Sequence, residues 1–327
     1  RSKTIMNGRT ETNYKIETSL KKSIQNQPIL IRQFAEFRLS TDQPKSVSDY
    51  CEHIVCFNKW LAENRKYELS TENVNRILPM DCSEYISSLR YRIKDGVRVE
   101  CSTSYRCLCW SALNAFFKFC KANRILKIEN PMNDVKRPRN TDPVPTDHLQ
   151  PSEIKAIMRL LKEEGSLRDL CMLSILFQYG VRAQCLLNVN VEDVDLENRV
   201  ITFTDKGDKT FTRDINPELA LYLEEWISKR KAKSNSNALF TSSKGTRMSY
   251  DNLRLIVNKY TKAIGHKLSP HAMRKSYASI VYKASGSDIR YTQRMLNHAN
   301  INTTTRYINE VNEEQDRKVS SVLQNLM

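Results

Sequence analysis

Glycine is scarce in this chain, at 8 of 327 residues. That is about 2%, against a usual share near 7%, and it disfavours folds that depend on many tight turns. Helices need glycine mainly at their ends, so a largely helical protein is expected. The apolar pattern agrees. Ile54, Val55, Phe57 and Leu61 fall near one helical face, and Tyr105, Cys109, Ala112, Leu113, Phe116 and Cys120 recur at spacings of three and four. At roughly 150 residues per domain the length suggests two domains, each able to bury its own core.

Charge narrows the possible partners. The chain carries 52 Lys and Arg against 37 Asp and Glu, a formal +15. Residues 1–140 hold 25 basic and 15 acidic side chains, hence +10, which leaves +5 for the remainder. An excess of this size suits nucleic acid, an anionic membrane or solubility alone. No apolar run reaches the roughly 18 residues of a membrane span, and no secretory signal opens the chain, so no membrane is involved and a cytoplasmic location is expected. Nine cysteines without a C-x-x-C pair give no zinc spacing. They read as reduced, mostly buried thiols.

The text divides into five stretches. Residues 1–25 are polar and basic without apolar periodicity, expected to be frayed unless more chain precedes Arg1. Residues 26–135 predict four or five helices packed as a bundle. Residues 136–148 form a linker with Pro138, Pro143 and Pro145, whose basic start (Lys136, Arg137, Arg139) suits either solvent or a phosphate backbone. Residues 149–310 form a second domain. Pro151 with Glu153, Ser166 with Asp169, Asn216 before Pro217, Ser249, Ser269 before Pro270, and Asn302 mark helix starts there, and Gly180 marks an end. Within it, Val200–Thr204 and Lys209–Ile215 alternate as two strands about a turn at Asp205-Lys206-Gly207-Asp208. Residues 311–327 place Val319, Val322, Leu323 and Leu326 at helical spacing, a tail helix. The fold class is mainly α with a small antiparallel sheet, an α+β arrangement.

Six side chains in the second domain carry potential chemistry, and each has an ordinary reading. Arg182 could cap carbonyls after Gly180, and Lys206 could be a solvated turn lysine. His271 and Arg274 share a face in the first turn of the helix that Pro270 begins, where an anion is favoured but a salt-bridged helix start is equally plain. His298 could stabilise a helix C-terminus, and Tyr307 could simply pack.

Taken in order, Arg182, Lys206, His271-x-x-Arg274, His298 and Tyr307 resemble the tyrosine recombinase (phage integrase) family. The local text is similar as well: Tyr179-Gly180-Val181-Arg182, Leu268-Ser269-Pro270-His271-Ala272-Met273-Arg274, Met295-Leu296-Asn297-His298-Ala299 and Thr304-Thr305-Arg306-Tyr307. The resemblance covers residues 149–327, and the helical residues before the linker look like the family's core-binding domain by position and pattern.

The resemblance implies a site-specific DNA recombinase, foremost the integrase of a mobile element. Alternatives are a resolvase of chromosome or plasmid dimers, a DNA-binding protein that keeps the fold without strand exchange, and a type IB topoisomerase. Tyr307 would attack a phosphodiester to give a 3′-phosphotyrosine. Arg182 and Arg274 would neutralise charge on the non-bridging oxygens, Lys206 would protonate the departing 5′ oxygen, His271 would carry the tyrosine proton, and His298 would donate to the phosphate. No metal, ATP or other cofactor is implied.

Implied partners are double-stranded DNA and further copies of the chain, as a dimer per site and a tetramer in synapsis joined through the tail, with DNA-bending accessory proteins. Arg106, Lys118 and Lys121, with Lys136, Arg137 and Arg139 of the linker, are the DNA-contact candidates. One position departs from the family. Cys185 stands three residues after Arg182 where an acidic residue is common, and a thiol cannot buttress a cation as a carboxylate can.

Overall fold

The computed structural model describes residues 8–94, 96–139, 148–205, 209–231 and 236–297. The chain splits into two compact units, one of residues 10–144 and one of residues 1–9 with 145–327.

The first unit is built on α1 (Gly8–Ile24), whose first two residues, Gly8 and Arg9, belong to the second unit, and on α2 (Ile29–Leu39), α3 (Pro44–Arg65), α4 (Pro79–Ser88) and α5 (Thr103–Ala122). Its core forms where the predicted faces meet. Leu30, Ile31 and Phe34 of α2, Ile54, Phe57 and Leu61 of α3, and Cys109, Leu113, Phe116, Phe117 and Cys120 of α5 are buried together. Phe34 meets Phe116 edge-on with ring centroids 5.8 Å apart, the arrangement that ring quadrupoles favour.

Two features of this unit differ from the sequence expectation. The polar N-terminal segment is helical from Gly8 to Ile24. Leu20 and Ile24, one turn apart, reach the core, and the Glu11–Lys15 and Glu17–Lys21 pairs support the exposed face. Two apolar anchors near one end make too weak a periodic signal to read from sequence. The stretch between α4 and α5, expected to be helical, instead carries a hairpin of β1 (Tyr91–Lys94) and β2 (Val97–Glu100), with Tyr91 opposite Glu100. Asp95-Gly96 was its signal, a dipeptide that favours tight hairpin turns, and Gly96 has φ of 77°.

The second unit runs through α6 (Pro151–Glu164), α7 (Leu167–Tyr179), α8 (Ala183–Asn188), β3 (Val194–Asp195), β4 (Val200–Thr204), β5 (Thr210–Asp214), α9 (Pro217–Lys229), α10 (Tyr250–Lys262), α11 (Pro270–Ala284) and α12 (Ile289–Met295). The strands make one antiparallel sheet in the order β3-β4-β5. Val200 pairs with Asp214 and Phe203 with Phe211, so Ile201 and Phe203 point inward by the two-residue period. The short strand β3 was not foreseen. Two residues are too few to show alternation.

Helix α7 is apolar on nearly all sides because it is the buried centre of this unit, packed against α6, α9 and α11. Ser166 caps it, accepting from the Asp169 amide at 3.2 Å, and Asn216 and Ser249 cap α9 and α10 in the same way. Ser269 stands at the start of α11, but the cap expected there is not made: its side chain forms no capping hydrogen bond. The predicted cap at Asn302 and the tail helix of 311–327 lie outside the described residues. All nine cysteines are free, and only Cys56 is exposed. No helix among the described residues is long and apolar enough to cross a membrane.

Gly180 ends α7 at φ 55°, and a Cβ there would lie 2.2 Å from Cδ1 of the buried Tyr277 ring. Both the left-handed backbone and the close ring exclude a side chain. Gly180→Ala is therefore expected to cost about 2 kcal/mol or more. Thermal unfolding of the variant should show a Tm lower by about 5 °C; an unchanged Tm would show that the turn relaxes freely.

Candidate active site

The site grows from the chain reversal at Gly180. The left-handed turn ends α7, and two residues later Arg182 sits at the N-cap of α8 with extended backbone. From α11, Arg274 is 3% exposed and reaches back to this turn. Its Nη1 donates to the Gly180 carbonyl at 2.6 Å and its Nη2 to the Leu296 carbonyl at 2.6 Å. One guanidinium thus joins the end of α7, the start of α11 and the end of α12. A planar fork with five N–H groups can do this; an ammonium on a flexible stem cannot hold the same geometry.

Arg213 of β5 works beside it, donating through Nη2 to the Met295 carbonyl at 2.9 Å. Two arginines therefore satisfy the last carbonyls of α12, where a helix C-terminus favours cations. Asn297 follows in a left-handed conformation with φ of 52°.

His271 lies one position into α11, in the same first turn as Arg274. Its ring keeps an exposed side, yet desolvation and the charges of Lys275, Arg274 and Arg182 hold its pKa below the ordinary histidine value. The imidazole is consequently neutral at pH 7 and able to accept a proton.

Arg182 forms an ion pair through Nη1 with the carboxylate of Asp205, a buried residue at the end of β4. Cys185, buried on α8, lies near the same carboxylate; its thiol is pushed up to about 12, first by burial and then by the nearby negative charge of Asp205. It stays protonated at neutral pH. The backbone of Asp205 is fixed on both sides, its N–H donating to the Lys209 carbonyl at 2.8 Å and its C=O accepting from Arg9 Nη1 at 2.7 Å within the same unit. Sequence reasoning missed Asp205, Arg9 and Arg213. Asp205 was read only as a turn residue, and nothing local marks an acid as the partner of an arginine on another element.

Of the six predicted catalytic residues, Arg182, His271 and Arg274 are brought together. Lys206, His298 and Tyr307 lie outside the described residues. Among the described residues no cluster of His, Cys, Asp and Glu has the makings of a metal site.

The predicted DNA-contact residues belong to the other unit. Arg106, Lys136, Arg137 and Arg139 line one open groove of about 440 Å³ with Ser83, Ser87 and Ile86. The chain after α5 folds back on it there: Trp110 Nε1 donates to the Val135 carbonyl at 2.8 Å and the Cys107 thiol to the Pro138 carbonyl at 3.0 Å. Lys118 is exposed beside a separate hollow that includes Phe37, Tyr50 and Trp110. Lys121 is engaged with Glu129 and the Ile128 carbonyl.

A family model described as the phage integrase family matches residues 147–314. The chain belongs to that family. A protein called tyrosine recombinase from Pseudothermotoga lettingae is 30% identical over 276 residues, covering 84% of this chain and 89% of its own length. Tyrosine recombinase XerC of Actinobacillus pleuropneumoniae serotype 7 is 29% identical over 200 residues, 60% of this chain, and the match spans 64% of that protein. Among solved structures, the XerH site-specific recombinase bound to difH substrate has a TM-score of 0.61 at 22% identity, covering 85% of this chain and 79% of that one. A lambda integrase dimer bound to a core site has a TM-score of 0.60 at 12% identity, covering 83% and 94%. These structural likenesses carry the fold, a mainly helical chain with a small antiparallel sheet. The protein is a site-specific tyrosine recombinase, an enzyme that breaks and rejoins DNA strands.

The lowered pKa of His271 sets a pH dependence. If the neutral ring takes the proton, the reactive form is complete at pH 7 and is lost as pH falls through a value below 6.5. The rate of DNA cleavage at sub-saturating enzyme, which reports the free protein, should show an acid limb below pH 6.5 that His271→Gln removes. An identical limb in that variant would assign it to another group.

Proposed function

We propose that the protein is the integrase of a mobile element, which cuts and rejoins duplex DNA at a specific site through Tyr307. The observation that carries the chemistry is the meeting of Arg182, His271 and Arg274 around the Gly180 turn. In this reading the Tyr307 oxygen attacks the scissile phosphorus while its proton passes to His271. A phosphorus–oxygen bond forms, the bond to the 5′ oxygen breaks, and Lys206 supplies the proton that leaves as a 5′ hydroxyl. The product is a 3′-phosphotyrosine.

Attack by a 5′ hydroxyl from the partner duplex reverses the step and joins the strands. One phosphoester replaces another, so bond energy is kept and ATP is not needed. Arg182 and Arg274 offset the charge that grows on the non-bridging oxygens, and His298 donates to one of them.

Duplex DNA is the partner that this chemistry requires. The basic groove of Arg106, Lys136, Arg137 and Arg139 is suited to phosphate contacts, and Lys118 and Lys121 would add to them. The pairing of Lys121 with Glu129 is an exposed one and is cheaply exchanged for a phosphate. Assembly as a dimer on each site and a tetramer in synapsis, through residues 311–327, and help from DNA-bending proteins complete the proposal.

A mobile-element role is favoured by the polar, basic character of residues 1–25. Curated XerC and XerD relatives, at 29% and 26% identity, favour a second reading, the resolution of chromosome or plasmid dimers. A protein that only binds DNA would be expected to have lost a catalytic side chain, and all six are in the sequence.

Cleavage is tested with a duplex carrying a nick beside the candidate site, so that the released strand end diffuses away. The wild type should leave a covalent protein–DNA adduct on a denaturing gel and Tyr307→Phe should leave none; equal behaviour would overturn the enzyme mechanism. Sequencing the adducted DNA from the source genome separates the two roles, because an integrase is expected at the ends of a mobile element and a resolvase at one chromosomal or plasmid site. Deleting residues 314–327 should abolish cooperative binding to paired sites in a mobility-shift assay while single-site binding persists. Cooperativity that survives would count against exchange of the tail between copies.

A further inference from the structure

The family position three residues after Arg182 usually supplies an acid, and here it is Cys185, a protonated thiol. The site nevertheless contains a carboxylate beside both residues. We infer that Asp205 takes over the buttressing of Arg182 from the position that Cys185 occupies, so that this enzyme orients its first arginine from the end of a strand rather than from helix α8. The inference rests on the proposed role of Arg182 at the phosphate.

Four observations support it. The Asp205 carboxylate pairs with Arg182 Nη1, so the charge lies on the required partner. Asp205 is 8% exposed, and water does little to weaken its field there. Its own backbone is held by Lys209 on one side and Arg9 on the other, which fixes where the carboxylate points. Cys185 lies close to the same carboxylate as a buried, uncharged thiol, so the family position has changed from a source of charge to a neutral neighbour. A neutral thiol beside the carboxylate does not compete with it for the arginine.

The function follows from the geometry of a guanidinium. One Nη spent on Asp205 restricts rotation of the fork and presents its other N–H groups in a fixed direction, which lowers the entropy lost when phosphate binds. Asp205 touches neither DNA nor the reacting atoms in this scheme. It is a positioning residue, and partners of this kind are typically worth about 10- to 100-fold.

The test relocates the charge. Asp205→Asn removes it at nearly constant shape, Asp205→Glu keeps it, and Cys185→Asp combined with Asp205→Asn returns it to α8 with little change of volume. Single-turnover adduct formation on the nicked duplex is measured at saturating protein, DNA affinity by mobility shift, and folding by thermal unfolding.

The expected result is a 10- to 100-fold slower adduct rate for Asp205→Asn with DNA affinity within about threefold, and recovery to within about threefold of wild type in the double variant and in Asp205→Glu. A folded Asp205→Asn that cleaves within threefold of wild type overturns the inference, as does a folded double variant no faster than Asp205→Asn. If Asp205→Asn fails to fold, an active double variant still supports the transfer of charge. Failure of both to fold assigns Asp205 to stability alone and overturns a positioning role. A wild type that forms no adduct at all would instead refute the cleavage mechanism, and the two failures are thus distinguishable.

Discussion

A buried guanidinium holds the second unit in working order. Arg274 is almost wholly enclosed, and a cation so placed is tolerated only because carbonyls surround it. The Gly180 and Leu296 oxygens do so from two different segments. Those bonds serve folding and function at once: they give both terminal nitrogens of the cation an acceptor, close the open ends of α7 and α12, and bring the Arg182 turn to the start of α11. Without Arg274 the same backbone carbonyls would lose its two donors and the three segments would lose their common partner.

Everything else at the site is arranged around that bridge. Gly180 must be glycine because Tyr277 fills the space that a side chain would need, and its left-handed turn aims the chain so that Arg182 faces the end of β4. The antiparallel pairing of β4 and β5 brings Asp205 to that end. Arg213, on β5, ties the sheet to the end of α12. The small sheet therefore contributes more than a hairpin tip; it positions one anion toward the first arginine and one cation toward the last carbonyls of a helix.

Sequence and structure agree where the signal is local. The cap at Ser166, the stop at Gly180, the strands at 200–204 and 210–214 and the apolar faces of α3 and α5 follow from spacings of two, three and four residues, and they are found as expected. Helix α1 and the β1–β2 hairpin were not foreseen because one has only two core anchors and the other lies between strongly helical stretches. The importance of Cys185 was visible as a departure from a pattern. What replaces the missing acid was not, since Asp205 read simply as a residue beside a turn.

The sequence by itself determined the helical class, the two basic parts and the set of residue types able to perform phosphoryl transfer, because propensity, charge and motif spacing are properties of the chain alone. Tertiary structure decided which of those residues meet: that Arg274 spans Gly180 and Leu296, that burial and then three nearby cations lower the pKa of His271, and that the anion opposite Arg182 comes from Asp205. The physical reason is that hydrogen bonds and fields act over a few ångströms in space. Separation along the chain carries no information about them until the backbone has closed.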